Sequence, residues 1–432
     1  MSRAVHASTL VLALLLTPPA AAPAADEHHH GVDEVTGPAL TFDESVGATA
    51  DTPRVRGLDE AAQHKRELDQ SIPRVTTGPQ LQVMPGARVH PSEVTGFEIQ
   101  ITATQAWSLD GYGRKRIEAA KSETEVLEVE ARAQALEQRL AAAHAWIQLH
   151  AAQLELELAM SELASMQELV ATMVRAREAN VVTRADVAHS QVLEAQTEAR
   201  VNDLQGVVHD LGLVLARETG SDASRPLETR GDYPNIALPS EDELRRRFAE
   251  LDSLPAVAKQ RLLARSERAR AAEAKAANAT TLNAGFSVQR EATSDVVLFG
   301  VLGANVSVGA GARANGQATA AARRAEAEGE AIALELQATL TTAMHELHHT
   351  QGQLEILGEH SLPAHAALVA SHEQALAMGE GTQAELLRAR AEHSAISREY
   401  VAAQAEWVWA RVEVWLYYEA FVAEQGSDGG SR

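Results

Sequence analysis

The sequence contains no cysteine, and only 4% of its residues are aromatic. The first absence excludes a disulfide framework, a thiol nucleophile and a lipid-modified cysteine. Positive charge is also scarce: 38 Lys and Arg face 60 Asp and Glu, a net charge of −22. That balance argues against a nucleic-acid partner, whose phosphates require a basic stripe. Beyond the amino terminus no run of about 18 uninterrupted apolar residues occurs, so no transmembrane helix is expected. The 432 residues allow two or three domains. With few aromatics and abundant alanine they point to narrow helix–helix seams, not one thick core.

Proline is missing altogether between Arg114 and Leu215, a stretch rich in Ala, Glu, Leu and Gln. Those are the compositional marks of a long helix. Its middle, Glu178 to Asp186, collects β-branched residues and a capping threonine, Thr183, which predicts a tight bend between two antiparallel helices. The first helix, about 65 residues, measures roughly 100 Å at about 1.5 Å per residue. No globular domain needs a helix of that length, so the hairpin spans something.

Residues 1–25 read as a secretory signal: Arg3 supplies the positive start, Leu10 to Leu16 the apolar run, and Ala22-Pro23-Ala24 the small-residue cleavage site. Residues 26–57, acidic and scattered with Gly, Pro and Thr, read as a flexible arm, with His28-His29-His30 an ordinary polar tail. A short helix is expected from Leu58 to Ile72, ended by Pro73. Then the period changes to two. Leu81 and Val83 alternate with Gln80 and Gln82 between Thr76 and Met84, and a Pro/Gly loop is expected over 85–96. After it Phe97, Ile99, Ile101 and Ala103 alternate with Glu98, Gln100, Thr102 and Thr104. One apolar and one polar face over about ten residues fits a sandwich strand or a membrane-barrel strand alike. Trp107 stands at the strand end, where an interfacial aromatic belongs.

The pattern then repeats. A linker is expected over 220–239, a helix opening at Ser240 with Glu243 at the capping-box position, and another starting at Pro255. Leu282, Ala284, Phe286 and Val288 alternate with polar and small residues, and a second, apolar strand runs from Val296 to Val308. A second long helix follows from Gln317, turns at a tip over 379–382 and returns to Phe421. The chain is thus read as a tandem duplication, 58–239 and 240–421, followed by a disordered tail over 422–432. Four strands cannot close a barrel, and an open strand edge is forbidden in a bilayer. If they span a membrane, several copies must share one barrel; three would supply twelve strands and a tube of helices below them.

These features resemble the TolC family of outer-membrane efflux channels. The likeness covers roughly residues 55–421. It rests on Trp107-Ser108-Leu109-Asp110-Gly111-Tyr112-Gly113-Arg114 and Gly309-Ala310-Gly311-Ala312-Arg313 after the strand pairs. It rests also on Val182-Thr183-Arg184-Ala185-Asp186 and Met378-Gly379-Glu380-Gly381-Thr382-Gln383-Ala384-Glu385-Leu386-Leu387 at the tips, with Leu254-Pro255-Ala256-Val257 and Leu362-Pro363-Ala364. The resemblance implies an α+β membrane protein: long antiparallel helical hairpins forming a periplasmic α-barrel, and four strands per chain in a shared twelve-strand outer-membrane barrel of a homotrimer. It implies an exit duct in the outer membrane, with a periplasmic helical extension, that passively conducts substrates such as metal cations or drugs. Its partners would be a periplasmic membrane-fusion adaptor, an inner-membrane transporter and outer-membrane lipid, without a cofactor. Asp186 and Glu385 match the family's gate acids, and Arg388 stands where a second acid is expected. Val182, Thr183, Arg184, Gly379, Glu380, Gly381 and Thr382 match the tips that meet the adaptor.

Two other readings compete. A periplasmic coiled-coil adaptor also carries a long helical hairpin, but it needs a compact β-rich lipoyl-like domain split around it, which this sequence does not suggest. His345-Glu346-Leu347-His348-His349 contains the zinc-hydrolase spacing His-Glu-x-x-His. It falls midway along a long Ala/Leu helix, where His345, His348, His349, His360, His365 and His372 read as polar helix-surface residues. The aromatic run from Trp407 to Phe421 reads as packing against neighbouring helices.

Overall fold

A computed structural model of the chain describes residues 37–72, 79–88, 96–291, 295–306 and 312–428. The expected signal segment, the His28-His29-His30 tract and the last four residues of the expected tail lie outside this set. The backbone of the fold is the long hairpin: α3 (Tyr112–Glu178) and α4 (Arg184–Glu218). At 67 residues, α3 extends roughly 100 Å. Small side chains line its seams, among them Ala119, Ala131, Ala142, Ala143 and Ala159, all buried. They let helix axes approach closely along a narrow interface.

The second repeat builds a similar hairpin in three pieces. A helix α7 (Ala312–Glu355) runs through a π-helical turn (Ile356–Ser361) into α8 (Leu362–Ala377), and α9 (Gln383–Asp428) returns. The widened turn has a cause in the sequence: Pro363 lacks an N–H and its ring crowds the carbonyl four residues back. Helix α6 (Pro255–Ala277) begins on its proline, as expected, and lies against α3 and α7. No helix among the described residues is long and apolar enough to cross a membrane.

Four antiparallel strands cap one end of the hairpins: β2 (Gln80–Arg88), β3 (Gly96–Ser108), β5 (Thr281–Arg290) and β6 (Val296–Asn305), in the order β2-β3-β5-β6. Strand β2 is described from Gln80 through Arg88 and so enters the start of the expected Pro/Gly loop, while residues 76–78 and 89–95 lie outside the described residues. Its apolar side continues as Pro85 and Ala87, opposite Ile99 and Phe97. Among the described residues of the single chain β2 is an edge strand, the place in a sheet where a proline is found. The register puts Leu81, Ala103 and Phe286 on one face, with Gln82, Thr102 and Ser287 on the other.

On the central strands β3 and β5 the polar face is the sheltered one. Ser287 is fully buried (0% exposed) and bonded to Thr102 Oγ1 at 2.8 Å and Gln100 Nε2 at 2.9 Å. Phe286, beside it, is 56% exposed, together with Phe97, Ile101, Trp107 and Leu282 on the apolar face. A soluble sandwich does the reverse. Strand β6 departs from alternation: Val297, Phe299 and Val301 lie opposite Gln289, Ser287 and Gly285, so both of its faces are apolar.

Of the arm expected over 26–57 as flexible, the described residues 37–57 are ordered. Ala39–Leu40 (β1) pairs in parallel with Glu228–Thr229 (β4), and α1 (Phe42–Ala48) closes a capping box between Thr41 and Glu44. Helix α2 (Pro53–Gln70) starts before the expected Leu58. Composition concealed this because the order comes from distant partners. Phe42 and Val46 enter a core with Trp146, Leu149, Leu215, Leu227 and Val412, and Trp146 Nε1 donates to the Leu40 carbonyl at 2.9 Å. The 220–239 linker is drawn into the same core by Leu227 and Ile236. Helix α5 (Glu241–Phe248) begins at Ser240 without the expected capping box. Glu243 instead accepts a 2.7 Å bond from the Tyr418 hydroxyl. The expected tail is helical through Asp428 as the end of α9.

Candidate functional site: the hairpin tips

At the far ends of the hairpins the two repeats build the same turn from different residues. The first descending helix ends on Asn180 at φ 58° and the second on Gly379 at φ 75°, both left-handed. Asn and Gly are the residues that reach this region at least cost. The N–H of Val181 then donates to Ala176 O, and that of Glu380 to Ala375 O, each at 2.9 Å. These bonds satisfy the last helical carbonyls. Gly381 sits tight against Ala375, where an added Cβ would stand 3.1 Å from that side chain.

Both return helices start with a threonine cap and an acid three residues on. Asp186 Oδ2 accepts from Thr183 N at 2.8 Å and from its hydroxyl at 2.7 Å; Asp186 N donates back to Thr183 Oγ1 at 3.2 Å. Glu385 Oε2 accepts from Thr382 N at 3.0 Å and its hydroxyl at 2.8 Å, with a return bond of 3.3 Å. These are reciprocal capping boxes. The threonine hydroxyl, then the threonine N–H, hold each carboxyl below its ordinary pKa; His189 beside Asp186 and His372 beside Glu385 add a smaller pull. Both acids are therefore charged, solvent-facing and fixed in direction.

Among the other expected tip residues, Val182 packs with Val187 and Leu193 on a small core of Met166, Leu169, Met173 and Leu387. Leu387 belongs to the second hairpin, so this core clamps the two tips side by side. Thr183, Arg184, Gly379 and Glu380 are exposed. Arg388 points along its own helix to Glu392 at 3.0 Å and borders a groove with His189, Leu193 and Arg200 of α4. Sequence reasoning passed over Val181, 76% exposed beside Asn180, as Met378 is 59% exposed beside Gly379. The two do not correspond under the offset that equates Asn180 with Gly379 and Thr183 with Thr382: Val181 follows its left-handed residue, and Met378 precedes its own.

The histidines of α7 and α8 serve the helix surface. His345 and His349 stack at 6.2 Å, while His348 and His365 donate from Nδ1 to the carbonyls of Met344 and Ser361 at 2.8 and 2.9 Å. Among the described residues no group of three or more His, Asp or Glu side chains is placed to hold a metal ion. The aromatic end of α9 packs as expected: Phe421 lies 5.7 Å from Phe248, Trp407 lies under Arg411, and Tyr417 is pushed up to about 12 by burial.

No protein-family model matches the chain, and no curated protein does. Solved structures do match. The outer membrane protein VceC of Vibrio cholerae has a TM-score of 0.67 at 16% identity, covering 88% of this chain and 95% of its own. The outer membrane channel CmeC of Campylobacter jejuni has a TM-score of 0.67 at 14% identity, covering 93% and 94%. The outer-membrane channel OprN has a TM-score of 0.66 at 17% identity, covering 87% and 89%. Over nearly its whole described length, helical hairpins and four-stranded sheet together, this chain has the fold of those outer-membrane channels, the fold that its resemblance to the TolC family implies.

Proposed function

We propose that the chain is one third of a passive exit duct in the outer membrane, its helices reaching through the periplasm toward an adaptor and an inner-membrane transporter. The observation that carries this reading is the sheet. On the central strands β3 and β5 the apolar face stands open and the polar face is sheltered, and the outer edges of β2 and β6 have no partner among the described residues. Such a sheet suits lipid outside and water inside, provided that other copies cover its edges. Three copies of four strands give twelve, above the minimum of about eight for a bilayer barrel. The helices beneath would continue the lumen. The tips would meet the adaptor through Val182, Thr183, Arg184 and the segment from Gly379 to Thr382. In a threefold ring Asp186 and Glu385 would concentrate negative charge at the mouth, favouring cations, with Arg388 beside them.

The test is direct. Purified in detergent, the mature chain should sediment as a trimer and give stepwise conductance in planar bilayers. A water-soluble monomer that leaves bilayers silent would overturn the reading.

A further inference from the structure

The four strand ends at Gln80, Ser108, Thr281 and Asn305 lie along one rim of the sheet, where strands meet helices. Just beneath it the sequence places Arg114, Lys115, Arg116 and Lys121 in the first three turns of α3, Lys275 in the last turn of α6 and Arg313 in the first turn of α7. The acids in the same zone are Asp110, Glu118 and Glu273. In a chain of net charge −22 this is a locally basic belt.

Two further observations set it apart. First, these six cations make no ion pair or side-chain hydrogen bond to a described residue. Several basic residues farther down are matched: Lys65 with Asp69 (2.9 Å) and Glu123 (3.2 Å), Lys259 with Glu130 (2.8 Å), Arg265 with Glu125 (3.3 Å) and Arg270 with Glu123 (2.7 Å). Second, Arg114, Lys115 and Arg116 occupy a helix N-terminus, where the helix dipole favours acids and disfavours cations. Helices α4 and α9 follow that rule with Asp186 and Glu385; α3 and α7 have no acid in the first turn. An anion from outside the chain would relieve both the pairing deficit and the dipole. Directly above, exposed Trp107 ends the apolar face of β3, as an aromatic does at a membrane–water interface.

We propose that this belt binds the headgroup phosphates of anionic phospholipid in the periplasmic leaflet of the outer membrane. The inference rests on the outer-membrane reading above. Phosphate oxygens would accept from the guanidinium and ammonium groups, and the N-terminal N–H groups of α3 would add donors. The acyl chains would lie along the apolar face beginning at Trp107. Long Arg and Lys stems can rise from the helices to headgroup level.

Native mass spectrometry of the detergent-purified assembly, titrated with phosphatidylglycerol or phosphatidylcholine, tests it. The unmodified chain should retain phosphatidylglycerol at least tenfold more tightly than phosphatidylcholine. Arg114→Gln/Lys115→Gln/Arg116→Gln should lose that preference while remaining assembled, and Arg114→Lys/Arg116→Lys should keep most of it. Equal retention of both lipids by the unmodified chain, or an undiminished preference in the triple variant, would overturn the proposal. Displacement of the lipid by equimolar inorganic phosphate would also overturn it, marking a free-phosphate site. A chain that does not enter bilayers fails the duct reading itself; one that conducts without lipid preference fails only the belt.

Discussion

Glu385 and Asp186 hold two duties in one carboxylate. Each closes a capping box with its threonine, and in the proposed ring each supplies charge at the mouth. The duties can be separated because glutamine fills the third position of a capping box as well as glutamate does. Glu385→Gln should keep the turn and remove the charge. Its cation-to-anion permeability ratio in planar bilayers should fall roughly twofold or more, with amide exchange at the tip unchanged. Glu385→Ala should lower the ratio equally and also speed exchange at Thr382 to Arg388, because the Thr382 N–H loses its acceptor. An unchanged ratio in both variants would leave Glu385 a cap and nothing else. Both acids stood out in the sequence through the resemblance to the channel family, and the Thr-x-x-acid spacing that builds their capping boxes stands beside them in the same stretch. The same pattern at Ser240 and Glu243 shows its limit, since a tyrosine 175 residues away claims that carboxylate. Spacing shows which bonds are available; the partners brought by folding decide which are made.

Among the elements, the long hairpin and strand β5 formed where periodicity predicts them, because a sustained period of 3.6 or of two leaves few alternatives. Segments ordered from a distance were harder to read. Residues 39–57 are short, acidic and Gly/Pro-bearing, and nothing local announces that Phe42 meets Trp146 edge-on at 5.6 Å. The sheet depends on one close approach that periodicity also hides. A Cβ at Gly285 would collide with the Ala103 carbonyl oxygen and stand 2.8 Å from Thr104 Cα, whereas Gly300 and Gly303 on β6 have open space. Gly285→Ala should therefore force β3 and β5 apart at the centre of the sheet, a cost of roughly 1–3 kcal/mol or more. It should lower the thermal stability of the detergent-purified protein. Gly300→Ala and Gly303→Ala should leave it unchanged. Equal stability in all three would mean that the β3–β5 pairing relaxes freely around an added methyl.

At the scale of the whole molecule the free edges of β2 and β6 decide the matter, since backbone groups left unpaired in a bilayer cost several kcal/mol each. The proposed remedy is pairing of β6 with β2 of the next copy, and the absence of cysteine makes it testable without background. Thr102 and Ser287 are register partners inside the sheet. Thr102→Cys/Ser287→Cys should thus form an intrachain disulfide on mild oxidation and serve as the positive control. Gln82 faces Thr102 on the same side, and Val297, Phe299 and Val301 lie on that side of β6. Gln82→Cys combined in turn with Val297→Cys, Phe299→Cys or Val301→Cys scans the possible registers between copies. Side chains on one face come within disulfide reach only when their strands are paired directly. One of the three combinations should convert the protein to covalent dimers and closed trimers on denaturing gels, the other two little or not at all. If the control oxidises and none of the three cross-links, the strands of neighbouring copies do not meet, and the shared barrel is excluded whatever the likeness of the single chain.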